Sequence, residues 1–321
     1  MPYTQVSNID FLQIKTSLKE YMRAQSDFTD YDFEGSTLSV LLDTLAYNTY
    51  YTAFNTNMVV NELFIDSATL RDNVVALAKQ LGYRPKSATS PTAYVSFTVT
   101  YTNPTTDTEL ILKKGTGFTA TYDNNVYNYV VLDDVKAQVA NGVATFTDVA
   151  VNEGTQLINT FTVNTASKSQ RFILDNRNID TNTIRVKVYP TGGSFNEPYL
   201  IADNILGVDG TSKVFFLDEI EDERYEILMG DGVLGKKLEN NARIEVSYLV
   251  TSGPESNGVR SFTFSGVLEN PNGVSPSSFT IAVNSIVAAA GGEEIESTQK
   301  IKYTAPKAYG TQDRAVTAQD Y

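Results

Sequence analysis

The pattern of apolar positions changes its period once along the chain. Up to about residue 85 it is helical. Ser7-x-x-Asp10 resembles a capping box, and Phe11, Ile14, Leu18, Tyr21 and Met22 follow at helical spacing. A polar stretch with Asp27, Asp30 and Asp32 leads to Gly35-Ser36-Thr37, a second start signal. In the helix that follows, Leu38, Leu41, Leu42 and Leu45 form one apolar stripe. Tyr47, Tyr51, Phe54 and Met58 form another, at i, i+4, i+7 and i+11. A surface helix carries one apolar stripe. Two place this helix between neighbours, and the second is either the body behind it or another chain. A third helix is predicted from about Ser67, with Leu70, Val74, Leu77 and Leu81 on one face. Gly82 stands at its C′ position and Pro85 blocks continuation.

From Thr92 the period becomes two. Val95, Phe97, Val99 and Tyr101 alternate with Tyr94, Ser96, Thr98 and Thr100, and Asn103-Pro104 ends the run. Short strands are predicted at Glu109–Leu112, Gly117–Tyr122, Tyr127–Leu132, Val135–Val139, Ala144–Val151 and Thr160–Val163. Turn signals such as Asp123-Asn124-Asn125 and Asn141-Gly142 separate them, a spacing that points to sandwiches or small barrels. A second β block covers 171–283, clearest at Ile184–Tyr189, Lys213–Leu217, Tyr225–Met229 and Arg243–Val250. After Gly291-Gly292 the pattern returns toward helix, broken by Pro306 and resuming at Thr317. Thr317 and Asp320 make a capping-box-like pair at the start of a helix with one turn of sequence, so the chain is expected to continue into a further region.

Composition narrows the chemistry. The 321 residues contain no His and no Cys, which removes the usual neutral-pH base, the thiol nucleophile, disulfides and zinc ligands. The excess of 38 acidic over 25 basic residues, net −13, opposes a phosphate-binding surface. No apolar leader precedes the first helix, and the stretch 286–290 is far too short to span a bilayer. Nineteen Tyr and sixteen Phe, with abundant Thr and Val and no Trp, fit a β-rich body.

Two motifs carry less than they suggest. Gly230-Asp231-Gly232-Val233-Leu234-Gly235-Lys236-Lys237 matches a phosphate-loop pattern, but such a loop must open a helix. Here an alternating strand, 243–250, follows it. The residue that would need a hydroxyl for magnesium is Lys237. Gly230 and Gly232 are therefore expected to permit positive φ in a tight turn, with Asp231 and Lys236 solvating it. The acidic run Asp218, Glu219, Glu221, Asp222 and Glu223 is expected to be a solvated turn, since a glycosidase pair faces across a cleft and a calcium loop has another spacing.

Phe33-Glu34-Gly35-Ser36-Thr37-Leu38 through Leu81-Gly82-Tyr83-Arg84-Pro85 resembles the N-terminal helical region of baseplate wedge subunits of contractile-tailed phages. Tyr225 through Gly235, continuing to Tyr248 and Gly253, is similar to a β segment of the same proteins. Ala305-Pro306-Lys307, Arg314-Ala315-Val316-Thr317 and Asp320-Tyr321 resemble the baseplate J-like superfamily to which they belong. Residues 86–170 match less clearly. The resemblance implies a non-enzymatic subunit that pairs as two copies in a wedge, intertwines helices with another wedge protein and helps link wedges into a ring. It implies a place in the virion's tail baseplate, after assembly in the bacterial host cytoplasm. It also implies a further C-terminal region involved in ring closure.

The expected architecture is α+β and mostly β. An N-terminal helical bundle (1–85) precedes two antiparallel sandwich- or barrel-like domains (86–170 and 171–285) and a C-terminal helical segment (286–321). No catalytic residue, cofactor or metal is expected, and no nucleic acid, membrane or small-molecule substrate. The candidate partner interface is Leu38, Leu41, Leu45, Tyr47, Tyr51, Phe54 and Met58. The competing reading is a carbohydrate- or receptor-binding β module of a phage tail, with Tyr-rich strands and acidic loops.

Overall fold

The computed structural model describes residues 10–25, 36–167, 170–193, 195–202, 205 and 207–311. They divide into a helical unit, formed by the chain up to Arg84 together with the stretch from Ser297, and a β unit from Pro85 to Glu296. The helix-then-β-then-helix class expected from the periodicity is borne out.

The helical unit contains α1 (Phe11–Arg23), α2 (Thr37–Glu62), α3 (Arg71–Gln80) and α4 (Thr298–Thr311). Asp10 caps α1 by accepting from the backbone N–H of Leu12 and Gln13 at 2.9 and 3.4 Å. Ser7 and the aspartates at 27, 30 and 32 lie outside the described residues. Phe11, Ile14, Leu18 and Met22 are half-buried, whereas Tyr21, at the rim of that face, is exposed. At the start of α2, Ser36 Oγ accepts from Ser39 N–H at 3.0 Å. Helix α1 packs against α2, with Lys15 Nζ 2.6 Å from Asp43 Oδ1.

Helix α3 begins four residues later than its sequence pattern suggests, because Ser67 is drawn into the preceding turn. Its hydroxyl donates to Asn61 O at 2.6 Å. The C-terminus is as expected: Gly82 has φ +79°, and the N–H groups of Gly82 and Tyr83 donate to Lys79 O (2.9 Å) and Ala78 O (3.0 Å), a Schellman closure. Helix α4 runs through Pro306 where a break was expected. Ile301 and Ala305, both fully buried, share a core with Ala68, Val74, Val75 and Ala78. That packing holds a turn that a proline alone would interrupt. The segment expected to resume at Thr317, with 314–321, lies outside the described residues.

Glu62, the last residue of α2, ties down the start of α3, which has no side-chain cap of its own. Its carboxylate accepts from Thr69 N–H (2.8 Å), Thr69 Oγ1 (2.5 Å), Leu70 N–H (3.3 Å) and Asn73 Nδ2 (2.8 Å). Burial pushes the carboxyl pKa up, but the hydrogen bonds from Thr69, Asn73 and Leu70 outweigh it and bring it down to about 2. An unfolded Glu titrates near about 4.3. The folded value is the lower one, so this stabilisation is present above that pH and lost as pH falls toward about 2. The urea midpoint of Glu62→Gln should accordingly fall less than that of the wild type on acidification across this window. Equal falls would mean that the carboxylate does not anchor α3.

The β unit contains β1 (Thr92–Tyr101), β2 (Glu109–Leu112), β3 (Gly117–Tyr122), β4 (Asn125–Val130), β5 (Val135–Ala140), β6 (Val143–Glu153), β7 (Thr155–Thr162), β8 (Phe172–Leu174), β9 (Ile179–Tyr189), β10 (Glu197–Ile201), β11 (Val214–Glu219), β12 (Tyr225–Met229), β13 (Arg243–Val250), β14 (Thr263–Phe264), β15 (Leu268–Glu269) and β16 (Phe279–Ala290). The turn signals act as the sequence indicates. Asp123-Asn124 closes the β3–β4 hairpin and Asn141-Gly142 closes β5–β6, all four residues at positive φ.

One sheet runs β14-β3-β4-β6-β5-β2-β15, with β1 paired to β6 and β16 paired to β1. The other runs β7-β13-β9-β10-β11-β12-β8. The division at 170 read from the sequence follows chain order, and strand pairing does not. Strands β14 to β16 come after the second sheet in the chain yet belong to the first, where β16 pairs with β1 from Tyr101↔Phe279 to Thr92↔Ala290. Local periodicity carries no information about so distant a partner. Among the described pairs only β10 with β11 is parallel.

The cores of the β unit are built on buried aromatic rings. Phe97, Phe118, Phe146 and Tyr129 are fully buried in the first sheet, and Phe215 and Tyr248 in the second. The Tyr129 hydroxyl lies 3.1 Å from Ser256 O and 2.9 Å from Ser256 Oγ, so its one polar atom is satisfied. Between β6 and β7 the chain passes from one sheet to the other at Gly154. There φ is +132°, and a Cβ would lie 2.5 Å from Val250 O.

Candidate docking surface on the long helix

Helix α2 buries Ser39, Leu42, Ala46, Asn57 and Asn61. Of the expected leucine stripe, only Leu42 is therefore buried. Leu38 is half-buried, and Leu41 and Leu45 are exposed on a neighbouring face. The second stripe is open to solvent along its length. Tyr47 is 54% exposed, Tyr51 48%, Phe54 45% and Met58 43%. Thus six of the seven candidate interface residues stand exposed on two faces of one helix, and Leu38 lies beside the buried side.

Four more exposed residues went unselected in the sequence: Val40, Val59, Leu63 and Phe64. The signal for Val40 was present, since it precedes Tyr47 by seven. Val40, Tyr47, Tyr51, Phe54 and Met58 then follow steps of seven, four, three and four, the 3.5-residue seam that accepts another helix. Val59 and Leu63 extend the Leu41–Leu45 face at the same helical angle, about five turns farther along.

The polar residues of α2 do little to solvate it. The hydroxyls of Thr44, Thr49, Thr52 and Thr56 donate back to the carbonyls of Val40, Leu45, Asn48 and Thr52 at 2.8–2.9 Å. The helix contains two charged residues, Asp43 and Glu62, and both are engaged, with Lys15 and with the start of α3. Tyr47 and Tyr51 stack obliquely with ring centroids 4.8 Å apart. A hydrogen bond with Tyr51 raises the pKa of the Tyr47 phenol, with partial burial and the neighbouring phenols of Tyr51 and Tyr50 adding to it. An open groove of about 370 Å³ lies between α1 and α2, lined by Asp10, Gln13, Ile14, Ser17, Leu18 and Thr49.

The remaining motifs resolve into structure. Asp231 Oδ1 accepts from Val233 and Leu234 N–H at 2.8 and 2.9 Å, and Gly232 N–H donates to Gly235 O at 3.0 Å. A strand, β13, follows. Positive φ falls at Gly232 and Gly235; Gly230 is glycine for another reason, because a Cβ there would lie 2.3 Å from the Gly235 carbonyl carbon. Lys236 does not simply solvate the turn, since its Nζ lies 2.8 Å from Glu197 Oε2. In the acidic run Asp222 pairs with Arg177 at 2.9 Å, while Glu219 is buried at the end of β11. The run is thus only partly a solvated turn. No group of acidic residues suited to a metal ion occurs among the described residues.

The chain resembles known proteins. Residues 10–83 match the helical domain of the gp6-like baseplate wedge proteins. The chain is 30% identical, over 97% of its length, to baseplate wedge protein gp6 of Enterobacteria phage T4, and spans 48% of that relative. The resemblance to baseplate wedge subunits read from the sequence is thereby borne out. The chain is also similar over 99% of its length to 63% of a chain in the cryo-EM structure of the anti-feeding prophage baseplate, at 13% identity. The TM-score of that match is 0.29, too low to carry a structural argument.

Proposed function

We propose that this chain is a structural, non-enzymatic part of the baseplate of a contractile tail, and that α2 is its docking element within the wedge. Relatedness to a baseplate wedge protein along nearly the whole chain supports the baseplate role. The exposed, charge-free faces of α2 carry the docking role. An apolar strip of that length on an acidic protein marks an interface, and its heptad-like spacing fits a helical partner. Two faces accommodate two neighbours, a second copy of this chain and a helix of another wedge protein, which is the paired, intertwined arrangement that the resemblance implies. The protein then resides in the virion's tail baseplate after assembly in the host cytoplasm. No described helix is long and apolar enough to cross a membrane.

The direct test is co-expression with candidate wedge proteins and affinity purification through this chain. Recovery of a stoichiometric complex supports the reading, and recovery of this chain by itself contradicts it. A receptor-binding β module has one observation in its favour, the loop residue Phe195, 89% exposed. Binding to glycans in the absence of any phage partner would favour that reading instead.

A further inference from the structure

The first sheet has an open edge at β16. Thr102 N–H donates to Ser278 O at 3.2 Å, and the register then places Thr100 opposite Thr280 and Thr98 opposite Ala282. In an antiparallel ladder, hydrogen-bonded and non-bonded pairs alternate. The main-chain groups of 278, 280 and 282 therefore face β1, and those of Phe279, Ile281 and Val283 face away from it. No strand among the described residues pairs with that outer side. Farther along, the edge is closed. The register shifts at Asn284, and Ala289 bonds Gly258 and Val259 at 2.7 and 3.0 Å. The open run is Phe279–Val283.

Of the side chains along this run, those of Phe279, Ile281 and Val283 lie on the core face. Phe279 and Ile281 pack on the first sheet's core while half-exposed, and Val283, opposite buried Phe97, is 37% exposed. A strand laid alongside would complete the ladder and cover them. Natural edges usually carry Lys, Pro or inward-pointing charge to prevent this. This edge carries none: no charged residue occurs between Glu269 and Glu293, the longest such stretch in the chain. The next longest, 87–106, contains β1 itself.

We propose that Phe279–Val283 pairs antiparallel with the same segment of a second copy of this chain. The occupant follows from charge. Copies of a chain with net −13 repel wherever acidic surfaces meet, whereas this edge meets itself with no like charges opposed. It is also self-complementary. A two-fold axis at Ile281 sets Ile281 against Ile281 and Phe279 against Val283. All three are outward-facing, so they fall on hydrogen-bonded positions in both chains, and their side chains join the two cores. The contact is isologous. It does not depend on the α2 surface.

The test uses the 321-residue chain carrying Tyr51→Asp and Phe54→Asp, so that α2 contributes no self-association. Sedimentation should show a weight-average mass that rises with concentration. The rise should be lost on Val283→Lys and on Val283→Pro, the latter removing an N–H that β1 does not use. Circular dichroism and thermal melts report that both variants stay folded. The chain has no Cys, so Ile281→Cys gives a single thiol that should oxidise to a linked dimer, while Val126→Cys on an exposed hairpin should remain largely monomeric. A mass independent of concentration would overturn the proposal. So would an association that survives both Val283 variants, or equal cross-linking of the two cysteine variants.

Discussion

A chain carrying Tyr51→Asp and Phe54→Asp is expected to keep its circular dichroism spectrum and its melting behaviour but to lose co-purification with the wedge proteins proposed to dock on α2. Both residues are about half exposed, at 48% and 45%, so within the isolated chain the aspartates remain solvated and fold stability changes little. In the proposed assembly the same positions are covered. Fully burying an aromatic or aliphatic side chain is worth about 1.5–3 kcal/mol. Half of that remains to be gained at each site, or about 1.5–3 kcal/mol for the pair. Desolvating two carboxylates costs several kcal/mol more. Affinity should therefore fall at least about 100-fold, the equivalent of about 2.8 kcal/mol. Normal co-purification would show that the Tyr47–Met58 stripe is not the seam.

The largest effect on folding is expected at Phe97. Its ring is fully buried, stacked on Phe146 at 4.6 Å and 6°, edge-on to Phe118 at 5.4 Å, and 5.7 Å from Phe264. These contacts join β1, β3, β6 and β14, so one ring connects the start of the first sheet to strands that return after the second. Phe97→Ala should cost about 3–5 kcal/mol, a large share of the total stability of an ordinary domain. Val126→Ala, 69% exposed on a hairpin, should stay within about 0.5 kcal/mol. Chemical denaturation measures both. A loss at Phe97 of less than about 1.5 kcal/mol would mean that the core rearranges around the gap.

The legible parts of this fold are those set by local chemistry. Glu109–Leu112, Gly117–Tyr122, Tyr225–Met229 and Arg243–Val250 have the ends that their alternation and turn residues give them. The Gly82 closure of α3 was visible because αL geometry and a following proline are written in adjacent residues. What stayed hidden depends on distant neighbours. Pro306 does not interrupt α4 because Ile301 and Ala305 are buried with α3. Strand β16 belongs with β1 because of a pairing across more than half the chain.

The candidate surface was half legible. Two apolar stripes on one helix can be counted in sequence, and the Tyr47–Met58 stripe is exposed along its whole length. The leucine stripe was misjudged as a unit, because a helix buried on one side splits Leu42 from Leu41 and Leu45 within a single turn. The back-bonded threonines leave no sequence signal separable from ordinary polar residues.

Gold-labelled antibody electron microscopy of particles from a producing lysate distinguishes a baseplate component from a fibre protein or a non-virion protein. Label should cluster as a ring at the tail end distal to the head, as the baseplate role requires. Label on fibre tips, or no particle label when the antigen is accessible in disrupted particles, would contradict it.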